Sequence, residues 1–245
     1  MQNNLVHADE KIEDMQTHGL FLLQKKQGYA FNTDSVLLAN FVRVKPKERY
    51  IDLCSGSGAV ALLVHVKQSP QSTTAVECNA DIANMCARSV EYNHLQNVQV
   101  VCADVRTWCT SVEKPWDVVS VNPPYFKVTQ SKQATTYTQS AKAEHTLSLN
   151  ECVQSVAKCL KFGGRMYMVH RVERLAEVMF ACKQVRLEPK VLRFIQPKPQ
   201  APYRIFLMEA VLGGKEGLRV EPPLMLLNEN GEETEEVKQM YDRKK

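Results

Sequence analysis

The sequence predicts an α/β fold: an open, doubly wound sheet that is parallel through most of its width. Three observations carry that prediction. From residue 49 onward, short apolar runs of strand character alternate with segments of helical period. Polar clusters rich in glycine or proline fall at the ends of those strands, where an open α/β sheet keeps its ligand crevice. The last two strand-like runs have no helix between them, so they are expected to pair antiparallel as a hairpin at one edge.

The elements follow in order. RYIDL (49–53) reads as a short buried strand, and Gly56 and Gly58 turn the chain into the apolar helix AVALLVHVKQ (59–68). STTAVE (72–77) is a second strand, and ADIANMCARSVEYNH (80–94) a helix with Asp81 near its first turn. VQVVCAD (98–104) and WDVVSVN (116–122) are the third and fourth strands. SLNECVQSVAKCL (148–160) is a helix for which Gly163-Gly164 fits as a stop. RMYMVH (165–170) is a strand, RVERLAEVMFACKQ (171–184) a helix, and PKVLRFIQ (189–196) and YRIFLMEAVL (203–212) are the closing strands. No internal repeat is present.

Composition sets the class. The chain has 245 residues, 44% apolar and 24% charged, as in an ordinary soluble globular protein with one large domain or one domain and a small appendage. No apolar run approaches membrane-spanning length, and the N-terminus MQNNLVHADEK lacks a signal pattern, so a cytoplasmic protein is expected. Eight cysteines without C-x-x-C or zinc-like spacing fit a reducing compartment, with neither metal nor disulfide expected. Cys152 and Cys159, seven apart on one helix face, are expected in the core. A monomer is the default.

Net charge is +4 but uneven: residues 161–204 carry ten Lys and Arg against three Glu. A second basic group, residues 24–49, has six against Asp34 and Glu48. Such groups suit a phosphate backbone, or they are solvated helix faces. The last stretch, NENGEETEEVKQMYDRKK, reads as a surface helix or a loose tail.

Two strand ends carry chemistry. After the first strand comes Asp52-Leu53-Cys54-Ser55-Gly56-Ser57-Gly58, a turn whose glycines admit a tight bend and close backbone approach to a ligand. It is not the full dinucleotide fingerprint, because the third glycine position is Ala61. Glu77 ends the second strand 21 residues after Gly56, where a carboxylate can accept both ribose hydroxyls of an adenosine. Asp104 closes the third strand, within reach of an adenine amine.

The fourth strand delivers Asn122-Pro123-Pro124-Tyr125 to the same edge. A residue before proline is held extended, so the Asn122 amide projects beyond the sheet. Two prolines fix φ and offer carbonyls without N–H groups. The result is a rigid set of acceptors, the Asn122 side-chain oxygen and the Pro123 carbonyl, flanked by the rings of Tyr125 and Phe126. Acceptors of that kind suit a planar –NH2 group. Its lone pair is delocalised, and two accepted N–H bonds favour a pyramidal nitrogen able to attack an electrophilic methyl. Tyr125 would stack on the base, worth roughly 1–3 kcal/mol.

With these motifs the chain resembles the Rossmann-like class I S-adenosylmethionine-dependent methyltransferases, in which an acid-x-x-x-G-x-G turn passes beside the methionine part of the cofactor. Asn-Pro-Pro-Tyr, 64 residues beyond Gly58, resembles the signature of amino-group methyltransferases acting on adenine N6 or glutamine amides. FNTDSVLLA (31–39), NPPYFK, LKFGGRMYMVHRVERLAEV and the late EPPL (221–224) resemble the bacterial tRNA adenine-N6 methyltransferases that modify position 37 of a valine tRNA. That resemblance spans roughly residues 18–228. It implies a tRNA partner and S-adenosyl-L-methionine held by Thr33, Asp52, Cys54, Gly56, Gly58, Glu77, Asp104 and Asn122. It places Asn122, Pro123, Pro124 and Tyr125 at the chemistry, and Asp34, Tyr125, Phe126 and Lys127 against the substrate. Thr33 or Asp34 is also expected to cap the helix SVLLANFV. One departure stands out: Ala143-Glu144-His145-Thr146 replaces the family's Ala-Arg-His-Glu.

The domain organisation expected is an N-terminal segment (1–48) packing on the cofactor site, a methyltransferase domain (49–228) and a C-terminal tail (229–245). Two rival functions stay open. A release-factor glutamine methyltransferase would carry a larger helical substrate domain before the cofactor turn, and here about 50 residues precede it. An RNA-binding module with a vestigial cofactor fold would bind no S-adenosylmethionine. A DNA enzyme would need a target-recognition domain. The basic residues of 161–204, and the acid-free stretch Lys127 to Lys142, are expected to face RNA on the catalytic side.

Overall fold

The computed structural model describes residues 5–27, 32–111, 115–123 and 147–241. A hairpin of β1 (Glu10–Asp14) and β2 (Phe21–Lys25) precedes α1 (Thr33–Phe41). There follow β3 (Arg49–Leu53), α2 (Ala59–Gln68), β4 (Ser72–Glu77), α3 (Ala80–Tyr92), β5 (Val98–Cys102), α4 (Val105–Trp108) and β6 (Trp116–Val121). After residue 147 come α5 (Leu149–Cys159), β7 (Leu160–Arg171), a 3-10 turn (Val172–Arg174), α6 (Leu175–Gln184), β8 (Leu187–Gln196), β9 (Ile205–Leu212), β10 (Arg219–Met225) and α7 (Glu235–Met240).

Eight strands form one sheet in the order β10-β8-β9-β7-β6-β3-β4-β5. Every neighbouring pair is parallel except those of β9, which runs antiparallel to β7 and to β8. The expected antiparallel pair therefore forms, but it is not the edge. β10 adds outside it, parallel to β8. Pro222 and Pro223 are tolerated there because an outer strand needs fewer donors and the register shifts between Glu221 and Leu224.

Alternation along the strands splits the core into two layers. Ile51, Leu53, Val119, Val121, Met166 and Met168 meet α5 and α6 on one face, with Cys152 and Cys159 buried among them as expected. Tyr50, Val118, Tyr167 and Val169 meet α1 and α2 on the other. The N-terminal hairpin docks on α3: the Phe21 N–H donates to Asn93 Oδ1 (2.9 Å) and the Leu23 N–H to Ser89 Oγ (3.0 Å). Glu10, 1% exposed at its side chain, receives both Arg88 nitrogens at 2.6 and 2.7 Å. α7 is packed as well, since Val237 and Met240 are buried in the layer with α1 and Lys67 Nζ donates to the Met240 carbonyl.

Three local expectations are corrected. The cap of α1 is Asn32, whose side chain accepts from the Ser35 N–H, and not Thr33 or Asp34. Gly163-Gly164 does not end α5. The helix stops at Leu160, which turns extended, and the glycines sit inside β7 at its register shift against β6. A Cβ on Gly164 would lie 2.8 Å from the Lys161 carbonyl. The helix expected from 171 begins at Leu175, because β7 continues to Arg171 and the 3-10 turn intervenes. No helix among the described residues is long and apolar enough to cross a membrane.

Candidate active site

The carboxyl ends of β3, β4 and β6 meet where the chain order reverses: β4 follows on one side of β3 and β6 on the other. This is the switch point at which open α/β sheets bind ligands. Gly56 (φ +55°) and Gly58 (φ +88°) carry the turn after β3, together with Cys54 at φ +57°. Gly58 is fixed by space as well as by φ, because a Cβ there would stand 2.5 Å from Cys86 Sγ on α3.

Glu77 is built into this turn. Its Oε2 accepts the Gly56 N–H and its Oε1 the Asn79 N–H, both at 2.9 Å, so the carboxylate is locked at the end of β4 beside the glycines. Asp52 points into the layer under α2 and is 1% exposed. Its Oδ1 accepts the Ser120 hydroxyl at 2.5 Å, and Ser120 in turn pairs with Tyr50 Oη at 2.6 Å. Burial pushes the Asp52 carboxyl up to about 7, against the pull of the Ser120 bond. Burial likewise pushes the Cys54 thiol up.

The turn also holds polar atoms in excess of their protein partners. Among the described residues, Asp52 Oδ2, Ser55 Oγ and Ser57 Oγ are buried and find no hydrogen-bond partner. Buried polar atoms are rarely left so, and three beside one turn fit a polar ligand seated on it.

Asp104 caps α4, accepting the Arg106 N–H, and the Arg106 guanidinium closes on both its oxygens with a 2.6 Å contact at Oδ2. Arg106 also reaches Glu151 of α5 at 3.4 Å. The carboxylate expected near an adenine amine is thus occupied by a neighbour two residues away, which composition at the strand end does not reveal.

At the end of β6, Asn122 is half-buried and Pro123 buried. Asn122 Nδ2 donates to Ser35 Oγ (3.4 Å), and Ser35 is buried in the first turn of α1. The bond ties the Asn122 amide to the first turn of α1. Sequence reasoning missed Ser35, although it sits in the FNTDS segment. It also missed Ser120, whose signal was a hydroxyl in the middle of an apolar strand. Thr33 is exposed and Asp34 half-exposed, accepting from Asn32 Nδ2 at 3.3 Å. Pro124, Tyr125, Phe126, Lys127 and the Ala143-Glu144-His145-Thr146 segment lie outside the described residues, as does the stretch Lys127 to Lys142.

The basic clusters are partly consumed within the fold. Lys161 pairs with Asp117, Arg165 with Glu48, Arg174 with Glu177, Lys183 with Glu188 and Arg193 with Glu236. In the second group Lys25 bonds Asp9 and Glu10, and Arg49 lies over the Trp116 ring at 4.7 Å. Among the described residues one trio could hold a metal, His7, Asp9 and Glu10, but the Glu10 carboxylate is already taken by Arg88 and Lys25.

A mostly parallel sheet with one antiparallel strand near its edge, a glycine turn after β3 and an acid locked at the end of β4 define a Rossmann-like methyltransferase fold. A predicted O-methyltransferase from Agrobacterium tumefaciens superposes with a TM-score of 0.69 at 21% identity, covering 86% of this chain and 96% of that one. A tRNA m1G37 methyltransferase of M. jannaschii does so at 0.58 and 12% identity, covering 84% and 58%. Residues 29–185 match the Methyltransferase small domain family, and the chain belongs to it.

Its curated relatives include a tRNA1(Val) (adenine(37)-N6)-methyltransferase of Flavobacteriaceae bacterium (strain 3519-10), 26% identical over 60% of this chain and 61% of the relative. One from Enterobacter sp. (strain 638) is 30% identical over 44% of each chain. One from Parabacteroides distasonis is 24% identical over 72% of this chain and 74% of the relative. The chain therefore spans less than two thirds of the length of the first two.

Proposed function

We propose that the chain transfers a methyl group from S-adenosyl-L-methionine to the exocyclic N6 amine of an adenine in RNA, at position 37 of a tRNA in the cytoplasm. One observation carries the reading. The Asn122-Pro123 strand end meets, at a single sheet edge, a glycine turn lined by buried polar atoms that lack protein partners. The names of the relatives support adenine 37 as the target.

S-adenosylmethionine would supply an electrophilic sulfonium methyl. The chain's own residues do the rest. Gly56 and Gly58 give the backbone a close approach, and Glu77, held by two N–H groups, offers its remaining lone pairs to ribose hydroxyls. Ser55, Ser57 and Asp52 supply polar atoms beneath the turn. Asn122 Oδ1 and the Pro123 carbonyl accept the two N–H bonds of the amine, with Ser35 fixing the Asn122 amide. No strong base is required beforehand, because the amine sheds its proton after it has become cationic. Pro124, Tyr125, Phe126 and Lys127 join this reading through the motif, Tyr125 as the stacking ring.

Methyl-labelled cofactor, incubated with RNA, DNA and protein fractions from cells lacking the enzyme, tests the reading. Label in RNA, recovered as N6-methyladenosine, supports it. Label confined to protein glutamine overturns it.

A further inference from the structure

The sheet topology places the β8–β9 connection, residues 197–204, on the catalytic edge. β8 runs antiparallel to β9 and β9 antiparallel to β7, so β8 points the same way as β6, and its C-terminal end lies on the side where Asn122 emerges. The connection PKPQAPYR contains three prolines and no acid. It is also tied down. Gln196 Nε2 donates to the Ala201 carbonyl (3.0 Å), the Val172 N–H to the Arg204 carbonyl (3.0 Å) and the Leu227 N–H to the Pro197 carbonyl (3.1 Å).

Two features of this turn face outward. Lys198 and Arg204 are exposed, and neither has a carboxylate partner among the described residues, whereas five of the ten basic residues of 161–204 are ion-paired. Between them stands Tyr203, 43% exposed, its ring stacked on Phe194 at 5.0 Å and 24°. Tyr203 is also the outer end of an aromatic row. Phe194 lies opposite Phe206, and Phe206 opposite His170, stacked at 6.4 Å and 23°. Val121 is level with Met168, so His170 is level with the start of the catalytic strand end. From β6 to β8 is three interstrand steps, about 14 Å at about 4.8 Å each. That is roughly four stacked nucleotides at about 3.4 Å per step.

We propose that the 197–204 turn is a docking platform for the single-stranded RNA next to the target adenine. Tyr203 stacks on a neighbouring base, and Lys198 and Arg204 meet phosphates on either side. The inference rests on the RNA reading above and deepens it. Base–aromatic stacking together with unpaired cations is the chemistry by which single strands are held without sequence readout, and prolines make the platform rigid before the RNA arrives.

The test uses the full chain and an anticodon-arm hairpin with an adenine 3′ of the anticodon, with affinity followed by fluorescence anisotropy against salt concentration. Tyr203→Ala should weaken binding about tenfold or more, and Tyr203→Phe should stay within about twofold of wild type. Lys198→Ala/Arg204→Ala should flatten the slope of log K against log salt by about 1.4, two contacts at about 0.7 each. Arg186→Ala, at the opposite edge where β8 begins, should leave both unchanged. Cofactor affinity should be that of wild type in every variant, and so should thermal melting, except that Tyr203→Ala loses its stack on Phe194 and should melt a few degrees lower while staying folded at the assay temperature. If the wild-type enzyme binds and methylates the hairpin while Tyr203→Ala and the double variant match it in affinity and slope, the platform is refuted and the substrate reading survives. If the wild-type enzyme neither binds nor methylates RNA, the substrate reading falls and takes the platform with it.

Discussion

Asp52 gives the sharpest link between the site and folding stability. Its carboxyl is 1% exposed, Ser120 holds one oxygen, and among the described residues the other meets no hydrogen-bonding group at full contact. Burial places the folded carboxyl near 7, against 3.8 ordinarily. Between those values the folded protein keeps a proton that the unfolded chain has released, so the contribution to stability is full at low pH and disappears as pH rises through 7. Three units at about 1.4 kcal/mol each set a ceiling of about 4 kcal/mol, of which about 3 kcal/mol is lost between pH 5 and pH 8. Asp52→Asn keeps the acceptor for Ser120 and removes the titration. Urea unfolding of both proteins at pH 5, 6, 7 and 8 should show wild type losing about 3 kcal/mol relative to the variant across that range. Parallel profiles would refute the idea that an uncompensated buried charge sits under the glycine turn.

Other perturbations follow from single contacts. Gly58→Ala forces an L-residue to φ +88° and a methyl onto Cys86 Sγ, so it should cost about 2–3 kcal/mol and weaken cofactor binding. Adding Cys86→Ala should return only the steric part of that loss, read from urea midpoints. Arg88→Met strands the buried Glu10 carboxylate, which the Arg88 guanidinium holds down at about 2. A loss of about 3–5 kcal/mol at pH 7 is expected. Glu10 stabilises the fold above pH 4.5, and that contribution fades as pH falls toward 2, so the gap between wild type and Arg88→Met should narrow in acid unfolding. Ser35→Ala removes the acceptor that orients Asn122, so kcat for methyl transfer should fall roughly tenfold, the worth of about one hydrogen bond, with cofactor affinity unchanged.

The central sheet was legible because its strands are short apolar runs set between helices of plain helical period, and the register of β3, β4 and β6 brings together the turn, Glu77 and Asn122 as their strand-end positions imply. What stayed hidden depends on partners distant in the chain. β1 reads as polar because its one buried side chain, Glu10, is satisfied by Arg88 seventy-eight residues away. β10 carries two prolines that argue against a strand until it is seen as the outermost one. The basic run of 161–204 loses Arg165 to Glu48, Lys161 to Asp117 and Arg193 to Glu236, pairings that local charge counting cannot register. Asp104 was visible as a strand-end acid, but its enclosure by Arg106 depends on a helical turn, α4, too short to read from four residues. In the candidate site the sequence singled out Asn122 and Asp52, while their hydroxyl partners, Ser35 for Asn122 and Ser120 for Asp52, emerged only from the packing of α1 and α2 on the sheet.

The most direct test of the account is a single-turnover assay on an unmodified tRNA transcript bearing adenine 37, with the nucleoside product mapped by mass spectrometry. The account predicts N6-methyladenosine at that position with the wild-type enzyme. It predicts none with Asn122→Ala, which should still bind S-adenosylmethionine within a few-fold of wild type. Undiminished methylation by Asn122→Ala, or a methyl group found on glutamine and not on adenine, would contradict it.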